Sequence, residues 1–159
     1  MGDLRFAIIG HRAPSKGKLS LNDLAGSGGR MDVLVRAVNA ALFLSHGIRT
    51  NVNVMLHLNG GTGRPRRVLF EGKNIRGVHA DERSIAGHIA KLIQSPVPPV
   101  GHFIQISPGL MHTGGGIKNT INEWNAEGVI TYCMDAGGEA FSEYSPIEKG
   151  TALGFVLSD

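Results

Sequence analysis

Segments with the two-residue period of a β-strand alternate along this chain with segments of helical period, and this alternation limits the possible folds most strongly. Strand-like segments are predicted at residues 5–11, 51–58, 67–70, 102–106, 129–134 and 152–158, and helical segments at 30–46, 80–94 and 116–128. Strands that alternate with helices are typical of α/β proteins with a largely parallel sheet and helices on both faces. We therefore predict an α/β fold of this kind.

The first helical segment illustrates how the helices are recognised. Apolar residues recur at Met31, Val35, Val38 and Leu42, which gives one wide apolar stripe. Gly47 follows this stripe and is predicted to end the helix, because glycine readily adopts the left-handed conformation common just after a helix.

The length of the chain limits the number of domains. Its 159 residues suffice for one domain with a well-buried core but supply little material for two. We therefore predict a single domain over residues 1–159. No apolar stretch approaches the roughly 20 residues that a membrane-spanning helix requires, which argues against a membrane protein.

Charge is distributed unevenly along the sequence. Residues 1–94 contain 14 Lys and Arg against 6 Asp and Glu, whereas residues 95–159 contain 2 against 7. A basic half of this kind favours an anionic partner, most commonly nucleic acid, because Lys and Arg clusters release counterions from the phosphate backbone. A basic face that only keeps the protein in solution is the alternative interpretation.

The cysteine and histidine content argues against disulfide and zinc chemistry. Cys133 is the one cysteine of the chain, so it cannot form an internal disulfide, and a cytoplasmic location is predicted. It lies in an apolar strand-like segment, where an inert core thiol is expected. The seven histidines show no H-x-x-x-H spacing, so no metal site is predicted.

The glycine-rich stretch LAGSGGRMD, residues 24–32, precedes the first helix. It fits neither the dinucleotide fingerprint, because Met31 stands at the third glycine position, nor the P-loop, which needs Gly-Lys-Ser/Thr. The stretch instead places Arg30 and Asp32 at a helix N-terminus, where free N–H groups favour an anion. Two interpretations stay open: these residues belong to a functional site, or Asp32 only complements the helix dipole while Arg30 is solvated.

The loop GGTGRPRR, residues 60–67, is the most basic short segment of the chain. Three arginines within four residues suit contacts to the phosphates of a folded nucleic acid, although aromatic residues for base stacking are missing. The predicted RNA-binding residues are all cations of the first half of the chain: Arg36, Arg49, Arg64, Arg66, Arg67, Lys73 and Arg76.

Four segments, taken together and in order, resemble a known family. They are SLNDLAGSGGRMDVLVRAVNAALFLSHGIR, VLFEGKNIRGVHADERSIAGHI, ISPGL and the closing FVLSD. The chain resembles, over nearly its whole length, the archaeal tRNA pseudouridine-54 N1-methyltransferases of the SPOUT superfamily. The resemblance implies a C-terminal trefoil knot, a homodimer, S-adenosylmethionine as methyl donor, and N1 of the T-loop pseudouridine of tRNA as methyl acceptor.

The resemblance also directs attention to particular residues. The cofactor-binding residues that it implies are Met134, Leu157 and Ser158, the last at a position where the family usually has glycine. Asp32 and Arg30 are the candidates for removing the N1 proton and for stabilising negative charge. Family members continue beyond FVLSD with a loop and a helix that complete the knot and cofactor pocket, so both are expected to be incomplete in the residues up to Asp159.

Two other functions stay open at this point. One is a non-catalytic RNA-binding protein that retains the basic half but has an incomplete cofactor pocket. The other is the related ribosomal-RNA pseudouridine N1-methyltransferase, which would use the same chemistry on a different RNA.

Overall fold

The computed structural model describes residues 3–140 and 148–159. Their strands are β1 (Leu4–Pro14), β2 (Phe43–Leu44), β3 (Gly47–Ile48), β4 (Val52–Gly60), β5 (Arg66–Glu71), β6 (Ile104–Ser107), β7 (Leu110–Gly114), β8 (Ile130–Cys133) and β9 (Leu153–Ser158). Their helices are α1 (Met31–Leu42), α2 (Glu82–Leu92) and α3 (Ile117–Ala126). None of these helices combines the length and the apolarity that a membrane crossing needs.

Seven of the strands form one sheet in the order β6-β7-β5-β4-β1-β9-β8. The four strands β4, β1, β9 and β8 run parallel to one another, and β5, β7 and β6 continue the sheet with antiparallel pairs. The predicted α/β class is thus confirmed. The parallel part is the half that holds both the first and the last described strand.

The two faces of the sheet are covered differently. The larger core packs α1 and α2 against the alternating residues Val54, Leu56 and Leu58 of β4. On the opposite face Trp124 of α3 packs in a small cluster of its own with Ala7, Val129 and Val156. Because strand side chains alternate between faces, each central strand contributes to both layers.

The first helix ends earlier than its sequence predicts. α1 stops at Leu42, and the chain then forms a short antiparallel hairpin in which Phe43 pairs with Ile48. The Arg49 Nη1 donates to the carbonyl of Ala40 at 2.8 Å, so a guanidinium satisfies an orphan carbonyl at the helix end. The prediction that Gly47 ends the helix is therefore wrong. The helix ends at Leu42, and the Arg49 side chain, which follows the hairpin, binds a carbonyl at its end.

Candidate functional site

The carboxyl ends of β1, β9 and β8 meet at one edge of the sheet, which we call the carboxyl edge. Ile9 pairs with Ser158, and the Met134 N–H donates to the carbonyl of Val156 at 2.8 Å. In open α/β sheets, ligands commonly bind outside the carboxyl ends of parallel strands. The structure therefore brings together the three residues for which a cofactor role was expected, Met134, Leu157 and Ser158.

These three residues offer mixed chemistry to a ligand. Met134 is 51% exposed, Leu157 is half-buried and Ser158 is exposed. Met134 and Leu157 can supply apolar contacts, while Ser158 supplies a hydroxyl that can donate and accept.

The N-terminus of α1 lies at the same edge. A Cβ added to Gly29 would come within 2.1 Å of the carbonyl oxygen of Arg12, and Gly29 also has a φ of +62°. Only glycine fits such a contact and such a backbone, so the glycine-rich loop packs directly on the end of β1. Arg30 and Asp32 follow at once, which places them beside the strand ends.

Asp32 is a buried carboxylate between two guanidinium groups. It is 6% exposed; its Oδ1 lies 3.3 Å from Arg30 Nε, and its Oδ2 lies 3.7 Å from Arg36 Nη1. Among the described residues, no group donates a hydrogen bond to Oδ1, because the Arg30 contact lacks hydrogen-bond geometry. Asp32 thus combines charge pairing with an acceptor that is still available to another donor.

Arg30 has an unusual backbone for an arginine. Its φ of +65° and ψ of +28° are left-handed, and it makes no side-chain cap for α1. Its guanidinium is exposed and free to reach a ligand as well as Asp32. The arrangement places an exposed guanidinium, which can bind an anionic group, next to a buried carboxylate.

Two of the predicted RNA-binding residues, Arg66 and Arg67, are fully buried. They are the first residues of β5, a strand inside the sheet, and their side chains point to opposite faces. A guanidinium that is fully enclosed by protein cannot contact the phosphates of an RNA. The predicted RNA contacts of Arg66 and Arg67 are therefore wrong, and both side chains hold elements of the fold together instead.

Arg66 joins three segments on the face of α1 and α2. Its Nε donates to the carbonyl of Ser15 at 2.6 Å, its Nη2 donates to the carbonyl of Ser95, and its Nη1 contacts His112 Nδ1 at 2.7 Å. Burial lowers the pKa of Arg66 to about 10. Burial and the nearby guanidinium lower the pKa of His112 to about 4, so this imidazole is neutral and accepts at Nδ1.

Arg67 belongs to a second network on the face of α3. Its Nη1 contacts Glu123 Oε1 at 2.7 Å and donates to Thr120 Oγ1 at 3.1 Å, and its Nε donates to the carbonyl of Gly114. His57 Nε2 lies 3.2 Å from the same Thr120 hydroxyl. Burial first, and Arg67 second, lower the pKa of His57 to about 4.

The structure separates the other predicted RNA-binding residues. Arg64 follows β4 at the carboxyl edge, whereas Lys73 and Arg76 follow β5 at the opposite end of the sheet. Arg49 binds the end of α1, and Arg36 pairs with Glu82 at 2.9 Å as well as with Asp32. The seven predicted RNA-binding residues therefore do not form a single surface.

Two exposed cations at the carboxyl edge were missed by the sequence reasoning. Arg12 lies near the end of β1, and Lys16 follows in the loop after it. The signal that could have found them is their position just after a predicted strand of a parallel sheet, where the loops commonly carry function.

A cleft of about 280 Å³ opens elsewhere, on the face of α3. Arg5, Glu71, Phe103, Trp124 and Glu127 contribute to its lining. The described residues contain no group of three His, Cys, Asp or Glu side chains placed to hold a metal ion.

The prediction of a core thiol at Cys133 is wrong. The residue lies on β8, the outer strand of the sheet, and is exposed. An apolar segment at the edge of a sheet can leave one of its side chains in solvent.

Comparison with known proteins identifies relatives over nearly the whole chain. Residues 4–159 match the family described as "Putative SAM-dependent RNA methyltransferase". A tRNA (pseudouridine(54)-N(1))-methyltransferase of Haloarcula marismortui is 38% identical over 156 residues, which are 98% of this chain and 75% of the relative. Proteins of the same name from Methanocella arvoryzae and Methanococcoides burtonii are 40% and 35% identical, over 98% and 97% of this chain and 77% and 74% of the relatives.

Proposed function

The chain belongs to the family of S-adenosylmethionine-dependent RNA methyltransferases, and from this premise we propose that it methylates N1 of pseudouridine 54 in the T loop of tRNA. The three relatives described above, which carry this activity in their names, are 35–40% identical over almost all of the chain. The observation that carries the proposal is the buried Asp32 at the carboxyl edge, whose Oδ1 is ion-paired with Arg30 but receives no hydrogen bond from a described residue.

The residues at the strand ends fit the methyl donor. Met134 and Leu157 offer apolar surface, and Ser158 offers a hydroxyl on an adjacent strand end. S-adenosylmethionine supplies an activated methyl group on a positively charged sulfur. We propose that these three residues bind it.

Methylation of N1 requires that this nitrogen lose its proton as the new carbon–nitrogen bond forms and the carbon–sulfur bond breaks. We propose that Asp32 accepts this proton and that Arg30 stabilises the negative charge that develops on the base. Burial of Asp32 keeps water from competing for its carboxylate, and the left-handed backbone of Arg30 keeps its guanidinium next to it.

Other parts of the proposal rest on the family resemblance. They are a homodimer in the cytoplasm, tRNA as the macromolecular partner, and a trefoil knot at the C-terminal end of the fold. Sedimentation of the purified protein measures whether it is a homodimer.

Replacement of Asp32 by Asn tests the chemical role. We expect single-turnover methylation of a T-arm transcript with pseudouridine to fall about a hundredfold or more, the usual scale of a lost general base. Arg30→Ala should lower the same single-turnover rate, because the negative charge that develops on the base would lose its counter-charge. The matched control is Asp81→Asn, since Asp81 caps α2 through a 2.7 Å bond from the Ser84 N–H and Asn caps equally well.

A purely structural Asp32 gives a different result. Asp32→Asn would then lower the free energy of unfolding by about 0.3–1 kcal/mol and leave turnover unchanged. RNA binding by the wild-type protein without any methyl transfer would favour a non-catalytic RNA-binding protein. Faster methylation of a ribosomal-RNA hairpin than of the T arm would favour the ribosomal-RNA enzyme.

A further inference from the structure

We propose that Arg12, Lys16 and Arg64 form a phosphate-binding surface at the carboxyl edge, through which the RNA backbone is held next to the reacting base. We call these three residues the edge cluster. The inference rests on the proposed function for the identity of the RNA, but its physical basis is the local arrangement of charge.

The edge cluster is assembled from the end of β1 with the loop that follows it, and from the loop after β4. The Ser15 N–H donates to the carbonyl of Gly60 at 3.1 Å, which joins the chain after β1 to the end of β4. A Cβ added to Gly63 would come within 2.7 Å of Lys16 Cγ, so the loop that carries Arg64 lies against the Lys16 side chain. Neighbouring loops therefore present cations from separate parts of the sequence.

The three side chains are exposed and lack carboxylate partners among the described residues. The ion pairs found there use Arg5, Arg30, Arg36 and Arg67. Arg64 makes a single described hydrogen bond, from Nη2 to the carbonyl of Val97 at 3.3 Å, which leaves its other donors available. Exposed cations without counterions are the groups that gain from contact with phosphates.

Arg66 lies beneath this surface and supports it. Its guanidinium is 0% exposed, has no carboxylate partner among the described residues, and holds the carbonyl of Ser15 next to Lys16. A buried positive charge without a nearby negative one adds to the attraction of the surface for anions. Arg66 thus acts as a positioning residue for the edge cluster.

The edge cluster also lies where an RNA substrate of the proposed site would pass. Gly29 packs on the Arg12 carbonyl, so Arg12 adjoins the segment that carries Arg30 and Asp32. Lys73 and Arg76, by contrast, lie beyond the start of β4, whose nine residues separate the two ends by roughly 25 Å. An RNA whose base reaches Asp32 therefore brings the phosphates on either side of that base to the edge cluster.

The comparison of two double variants tests the surface. Arg12→Gln with Lys16→Gln removes one arginine and one lysine at the carboxyl edge, and Lys73→Gln with Arg76→Gln removes the same pair of charges at the opposite end. The affinity of each protein for a T-arm hairpin is measured by fluorescence anisotropy over a range of salt concentrations. Thermal melts check that both variants keep the wild-type fold.

We expect the carboxyl-edge variant to bind about ten- to a hundredfold more weakly at 0.1 M salt and to lose about 1.8 from the slope of log affinity against log salt. Adding Arg64→Gln should reduce the slope further. Lys73 and Arg76 carry a sequence-based prediction of RNA contact that competes with the edge cluster. If the edge cluster holds the RNA, their double variant should keep the wild-type slope within about 0.3. Equal slope changes in the two double variants, or a larger change in the control, would overturn the edge cluster.

Methyl transfer by the wild-type protein is measured separately on the same hairpin. A difference in slope without methyl transfer keeps the surface and refutes the proposed function. Methyl transfer with equal slopes keeps the function and refutes the surface.

Discussion

Each face of the sheet buries one of two neighbouring arginines, and only one of these arginines has a carboxylate as its partner. On the closed face, under α1 and α2, Arg66 bonds to backbone carbonyls and to a neutral imidazole. On the more open face, Arg67 pairs with Glu123, whose side chain is 34% exposed. Carbonyls and a neutral imidazole bind the Arg66 guanidinium without a counter-charge. Arg67 instead has a half-solvated carboxylate as counter-charge, while its Nη2 makes no hydrogen bond to a described residue.

The largest expected effect comes from replacing each arginine by methionine. Arg66→Met leaves the carbonyls of Ser15 and Ser95 without donors, and we expect a loss of about 3–5 kcal/mol in the free energy of unfolding. Arg67→Met should cost only about 1–3 kcal/mol, because water can solvate Glu123 and His57 still pairs with Thr120. Urea denaturation measures both.

A larger loss for Arg67→Met than for Arg66→Met would contradict this comparison. Should Arg66→Met not fold, Arg66→Lys gives the same test, since it keeps the charge but loses the forked donors. It should still be less stable than the matching Arg67→Lys.

Acid should destabilise both faces through their buried histidines. The pKa of His57 and of His112 is about 4 in the folded protein, below the usual 6.5, so protons bind the unfolded chain more readily between these values. The contribution of the two neutral histidines to the free energy of unfolding is therefore present above about pH 6.5 and is lost as the pH drops toward 4. We expect each histidine to account for about 1–2 kcal/mol between pH 7.5 and pH 5.

Urea denaturation at several pH values measures this dependence. His57→Asn and His112→Asn should each remove about half of it. A pH dependence that survives in the double variant would assign acid sensitivity to other groups.

The smallest expected difference concerns glycines on the two faces. A Cβ on Gly10 would lie 2.7 Å from Leu34 Cδ2 in the closed core, and one on Gly154 would lie 2.5 Å from the Trp124 ring. We expect Gly10→Ala and Gly154→Ala each to cost about 1–3 kcal/mol, with Gly154→Ala at the lower end of this range because Trp124 also borders the cleft. Thermal melts compare the two, and a greater loss at Gly154 would show that the open face is as rigid as the closed one.

Periodicity predicted the α/β class and the positions of the three helices, since these depend on patterns within each segment. It missed β7, because Leu110–Gly114 contains threonine, histidine and glycine rather than an apolar run. It also could not show that β5 and β7 pair in antiparallel fashion. Strand direction depends on connections between segments, which a local pattern does not contain.

The family resemblance, not the periodicity, named Met134, Leu157 and Ser158 as a group. The structure brings the three residues to one edge, because the ends of neighbouring parallel strands meet there. Their roles toward the cofactor stay predictions, as do those of Asp32 and Arg30. Arg66 and Arg67 were misjudged because charge was taken as a sign of exposure. Two arginines at the start of a strand in the middle of a sheet must face both of its covered sides.

The central position of β1 has a consequence for folding during synthesis. Leu4 pairs with Val52 on one side and with Leu153 on the other, so β1 joins the earliest and the latest described parts of the chain. About 90 residues separate the end of β4 from the start of β9, and a ribosome needs roughly 5–20 s to add them. Throughout that interval one edge of β1 has no partner, and such long-range pairings form slowly. For seconds, the nascent chain therefore exposes a strand edge whose backbone groups can pair with another chain. Chaperone binding at this stage of synthesis would most affect the yield of folded protein.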